Sequence, residues 1–187
     1  MLLVKRGSLY RRPRVLAAVD PDHRYAKPVR LDREILEAGA QIAAALHGRL
    51  HAVHGFSPVP LTAYTQGTLS ADIVADMQRR SARAAAAKLE QLAGRAGIPA
   101  ARRHLIARHA SDAIEQAAAQ IRSDIVVMGA VARSGLRRLL IGNTAERVLD
   151  HLPCDLLVVK PSGFRRAVSR RRRGARFVSA ARVPAFY

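Results

Sequence analysis

The chain has 187 residues, 32 Lys and Arg against 14 Asp and Glu, a net charge of +18, no tryptophan and a single cysteine. That length allows one domain with a substantial core and leaves little room for two. One cysteine excludes an intrachain disulfide framework and suits a reducing compartment; no apolar run is long enough to span a bilayer, and the opening MLLV is too short for the core of a secretory leader. The expected location is the cytoplasm.

The charge is uneven. Residues 1–14 hold five basic residues and no acid, and residues 162–187 hold eight arginines and no acid, so residues 15–161 keep a balance of only +5. The expected organisation is a basic N-terminal extension over 1–13, one domain over 14–161, and an Arg-rich, disordered tail over 162–187.

In chain order, RVLAAVD (14–20) is a short apolar run of buried-strand type, followed by the turn-forming PDHRYAKP. Leu31, Ile35, Ala38, Ile42 and Leu46 have helical spacing that ends near Gly48. RLHAVHGF supplies a second strand, and the proline- and glycine-marked SPVPLTAYTQGT leads to a helix expected from about Ser70 to Ala96. Its buried stripe is read as Ile73, Met77, Ala85, Leu89, Leu92 and Ala96, and Gly97-Ile98-Pro99 stops it. ARRHLIA is a weaker third strand. Asp112 and Glu115 have the spacing of a reciprocal helix cap, with Ile114, Ala117, Ala118 and Ile121 as the buried stripe behind them. SDIVVMGA is the clearest strand. Beyond it, Asn143 and Glu146 repeat the capping spacing before a short helix, and CDLLVVKP closes the domain with Cys154 as a buried strand residue.

Strands apolar on both faces, alternating with long helices, imply a parallel sheet covered on both sides. The expected fold is α/β, a five-stranded parallel sheet with helices on both faces. Right-handed crossovers and a reversal in mid-sheet bring the ends of the first and fourth predicted strands side by side, and ligands bind such sheets at that switch point. The residues there are VDPD and MGAVA.

Gly129 leaves the fourth predicted strand and Gly142 precedes the helix capped by Asn143, with Thr144 adding a hydroxyl. Glycines at a strand exit and before a helix let backbone amides converge on a phosphate, although the same pattern serves an ordinary strand-to-helix connection. Arg133, Arg137 and Arg138 either add charge to such a phosphate or are simply solvated. Asp20 and Asp22 read as a turn rather than a metal pair. His51 and His54 have odd spacing and face opposite sides of a strand, so they do not share a metal, and no dedicated metal site is expected. No catalytic nucleophile emerges.

Across residues 14–161, VLAAVDP and DIVVMGAVARSGLRRLLIGNTAERVLDHLPCDLLVVKP, in this element order, resemble the universal stress proteins. The ending GNTAERVLDHLPCDLLVVKP is most similar to the second half of the tandem, E-type members, so a single module is either a one-domain relative or a piece of a tandem chain. The resemblance implies a Rossmann-like fold of the adenine nucleotide alpha hydrolase type and a non-catalytic stress-response binding module, any ATP hydrolysis being slow and incidental. ATP-binding members carry the pattern G-x2-G-x9-G-(S/T). Laid on this sequence, the pattern places Gly129 first and Gly142 third, with Ala132 at the second glycine and Asn143 at the Ser/Thr. The resemblance further implies that Asp20 lies near ribose and adenine, Met128 beside the base, and His54 where valine is common against the adenine; Ala18, Val19 and Thr144 join them as candidate cofactor-binding residues. A methyl at Ala132 hinders close backbone approach, so an adenine nucleotide such as ATP and an empty, degenerate pocket both stay open. The resemblance also implies a homodimer through the last strand, residues 154–160, a reading that a bare sheet edge supports on physical grounds. The tail FRRAVSRRRRGAR is either solvated or in salt-sensitive contact with nucleic acid or an anionic surface.

Overall fold

A computed structural model of the chain describes residues 2–5, 10–22, 30–57, 70–130, 148 and 151–161. The described elements are β1 (Leu2–Leu3), β2 (Arg14–Ala18), α1 (Arg30–Ala45), β3 (Arg49–Gly55), α2 (Ala71–Arg95), a 3-10 turn (Ala100–Arg102), β4 (Arg103–Ile106), α3 (Ala110–Ile121), β5 (Ile125–Gly129) and β6 (Asp155–Val159).

They form one sheet in the order β1-β6-β5-β2-β3-β4. The five long strands are parallel, as the apolar, two-faced sequence runs demand. The sheet nevertheless has six strands and is not purely parallel: Leu2 and Leu3 pair antiparallel with Leu157 and Leu156. This corrects the five-stranded expectation, and it draws part of the 1–13 extension into the fold. Two residues are too few to show a strand pattern in sequence, and their partner lies at the other end of the domain.

Alternate residues of each strand separate into two cores. Val15, Ala17, Leu50, Ala52, Ile125 and Val127 pack with Leu31, Ile35, Leu36 and Ala43 of α1 and with Leu89 and Ala93 of α2. On the opposite face Leu16, Val53, Val126, Met128, Leu156 and Val158 pack with Ile114, Ala117 and Ala118 of α3 and with Val148 and Leu152. Cys154 is fully buried in this second core, as expected, but it immediately precedes β6 rather than lying in the strand.

Two helix expectations differ. In α2 the buried residues are Val74, Ala85, Leu89 and Ala93, while Ile73 and Met77 are exposed. Val74, beside Ile73, is 5% exposed, so the early turns bury a different face from the one the Ile73/Met77 spacing marks. In α3 the N-cap is His109, with no side-chain cap bond; Asp112 already lies in the first turn, so the Asp112/Glu115 pair does not form the expected reciprocal cap. Its carboxylate there still favours the positive helix end.

Candidate functional site

The chain runs from β2 out to β3 and β4, then returns to β5 on the other side of β2. Register confirms the reversal: Val15, Leu16 and Ala17 pair with Ile125, Val126 and Val127, and Ala17 and Ala18 pair on their other side with Ala52 and Val53. The carboxyl ends of β2, β3 and β5 are thereby neighbours, bringing Ala18, Val19 and Asp20 between His54 and the Met128-Gly129 exit. Ala132, Gly142, Asn143 and Thr144 lie outside the described residues, as do Arg133, Arg137, Arg138, Glu146 and the tail from 162.

Asp20 is held from α1. Its backbone N–H donates to Asp32 Oδ1 at 2.9 Å, and Asp32, only 2% exposed, sits in the first turn of α1. The Oδ2 of Asp20 is buried and accepts no hydrogen bond among the described residues. A buried carboxylate oxygen of this kind is costly to leave unmatched and fits a ligand bearing hydroxyl or amine donors.

His54 faces the α1–α2 side, opposite to His51, as the strand alternation requires. Fully buried, its ring bridges two oxygens: Nδ1 is 3.2 Å from the Val19 carbonyl oxygen and Nε2 is 3.3 Å from Asp22 Oδ2. The second oxygen of Asp22 accepts a 2.8 Å bond from the Lys88 ammonium of α2. Burial pushes the Asp22 carboxyl upward, but the Lys88 hydrogen bond and the charges of His54 and Lys88 outweigh it and leave it below its ordinary value. Asp22 thus ties the turn after β2 to both β3 and α2. Sequence reading pointed to the turn and missed Asp32 and Lys88, which meet it only through the tertiary fold.

The two strand-end residues from β5 have packing reasons for their identity. Met128 is buried in the second core. A Cβ on Gly129 would lie 2.6 Å from Leu31 Cδ2, so glycine is needed there for α1 to approach β5, whatever the loop beyond it does. A shallow cleft of about 480 Å³ lies elsewhere, between β4 and α3, lined by His104, Ile106, Arg108, Gln116 and Gln120 among others. Among the described residues no helix is long and apolar enough to cross a membrane, and no group of three His, Cys, Asp or Glu side chains is placed to hold a metal ion.

Comparisons with known proteins agree with this architecture. Residues 12–160 match the profile of the universal stress protein family. Universal stress protein E of Escherichia coli (strain K12) is 31% identical over 154 residues, 82% of this chain and 46% of that protein. The chain spans about half the length of the curated relatives it matches first. Among solved structures, a protein of unknown function from Pseudomonas aeruginosa PAO1 superposes with a TM-score of 0.63 at 29% identity, covering 86% of this chain and 51% of that one. A universal stress protein solved in complex with cAMP shares the fold with a TM-score of 0.50 at 21% identity, covering 81% of this chain and 98% of that one. With the family's profile spanning nearly the whole sheet and its intervening helices, the chain belongs to the universal stress protein family.

Proposed function

We propose that the chain is a non-catalytic stress-response binding and signalling module, working in the cytoplasm, that takes an adenine nucleotide at the carboxyl ends of β2 and β5. The observation that carries this reading is the Oδ2 of Asp20 at the switch point, buried and without a hydrogen bond among the described residues, on a residue held in place by Asp32. A ribose hydroxyl or an adenine amine would satisfy it. The cAMP complex of a protein with the same fold supports the ligand class. No general base is assigned, and any ATP hydrolysis is slow and incidental. The module acts by self-association through β6, its occupancy altering that association or the contacts of the basic tail with an anionic partner.

A second reading, a ligand-free interaction protein, has its own support. His54 directs both ring nitrogens, and Asp22 both oxygens, at protein groups rather than at the pocket, and Ala132 stands where ATP-binding members have glycine. The two readings separate in an NMR titration of labelled full-length protein with ATP, AMP and cAMP. Nucleotide binding moves the amide signals of Val19, Asp20 and Gly129 saturably. Unchanged signals there at every nucleotide concentration would favour the ligand-free module.

A further inference from the structure

The outer edge of β6, one strand beyond β5, is already occupied by the chain itself. Beyond the pairing of Leu2 with Leu157 and Leu3 with Leu156, the arm secures one carboxylate. Asp155, 1% exposed at the start of β6, accepts at Oδ1 from the backbone N–H of Lys5 at 2.6 Å and at Oδ2 from the Tyr10 hydroxyl. The Lys5 ammonium adds a 2.9 Å bond to the Leu152 carbonyl. A carboxylate at that depth has to be matched by donors, and the arm supplies one to each oxygen. Asp155 is therefore the latch for the arm.

The cover is thin. Among the described residues the arm pairs with two residues of the five-residue strand, and Leu2 and Val4 remain 56% and 65% exposed. An edge strand whose cap holds so few ladder positions is open to competition from a longer strand. Residues 156–159 of β6 are all apolar and uncharged, so nothing along them repels an identical strand, and antiparallel pairing of two copies about a twofold axis is self-complementary.

We propose that the N-terminal arm is an exchangeable cap on β6, and that the partner it excludes is a second copy of this chain, which pairs with β6 when the arm lifts from Asp155. This rests on the self-association included in the proposed function, and gives it a built-in control.

The test uses two full-length variants. Lys5→Pro with Tyr10→Phe removes the two donors described at Asp155. Leu2→Cys with Leu157→Cys places two thiols at directly opposed antiparallel positions, whose Cα separation of about 4.5–5.5 Å suits a disulfide. Sedimentation across a concentration series is the readout, with circular dichroism checking the fold. The released variant is expected to dimerise at a concentration at least about tenfold below that of the parent, a shift worth about 1.4 kcal/mol. The stapled variant is expected to stay monomeric when oxidised and to regain the parent's association when reduced. A staple that forms without changing association overturns the cap. If no form associates at all, the self-association reading falls with it, while formation of the disulfide still reports that the arm docks. Should the released variant unfold, the oxidised and reduced staple alone decide the matter.

Discussion

Asp22 and His54 face each other at 3.3 Å across the exit of β2, and Lys88 reaches the same carboxylate from α2. The contact joins residues 32 positions apart and fixes the turn that carries Asp20. Asp22→Asn keeps the shape and removes the charge beside a fully buried imidazole. It is expected to lower stability by about 1.5–3 kcal/mol, the range for a hydrogen bond to a charged group, measured by urea denaturation at neutral pH. The depressed carboxyl also sets a sign. Its contribution is complete above the ordinary aspartate range and is lost as pH falls through the lower folded value. Lys88→Met, which removes the ammonium bond, should narrow that acid range and move the onset of acid unfolding to higher pH.

His51 and His104 form a second pair, on the α3 side of the sheet. Their rings stack with centroids 5.3 Å apart, and Nδ1 of one lies 3.1 Å from Nε2 of the other, so one nitrogen donates and the other accepts. Burial, reinforced by the charges of His104, Arg102, Arg14 and Arg49, lowers His51 to about 4, and burial lowers His104 as well. The folded state therefore binds fewer protons here than the unfolded chain. Stability from this pair is complete above about 6.5, the ordinary histidine value, and declines as pH falls towards about 4. The urea midpoint should fall between pH 7 and pH 5, and the His51→Leu/His104→Leu double variant should show a shallower fall.

Two glycine-to-alanine changes should have opposite signs. At Gly129 the new methyl meets Leu31 Cδ2 at 2.6 Å and Ile35 Cδ1 at 3.2 Å, inside a packed core. A loss of about 1–3 kcal/mol is expected there, partly relieved by Leu31→Val in a double-mutant cycle. At Gly94 the methyl meets only the far end of Arg103, at 3.7 Å, in the last turn of α2. A gain of about 0.4–1 kcal/mol is expected there from reduced freedom of the unfolded chain. Thermal melts of the two single variants check both.

The parallel strands, the reversal beside β2 and the opposite faces of His51 and His54 were legible because each follows from local periodicity and a handedness rule. What was not legible depends on distance or extent. β1 is two residues long, and its partner lies about 150 positions away; Asp32 and Lys88 reach the site from helices whose polar residues look like ordinary surface. The spacing of Ile73 and Met77 is helical, but the buried residue of that turn is Val74, and so few apolar residues do not fix which face turns inward. Gly129 stood out as a phosphate-loop glycine, and the fold adds a packing reason for it in Leu31 and Ile35 that sequence spacing does not display.

The nucleotide site is tested most directly by calorimetric titration of ATP into the full-length protein at moderate salt, beside Asp20→Ala, with tripolyphosphate as a competitor for the arginines. Saturable one-site binding that survives tripolyphosphate and weakens at least about tenfold in Asp20→Ala, a loss of about 1.4 kcal/mol, is the expected result. Binding indifferent to Asp20 would contradict a nucleotide site at the ends of β2 and β5.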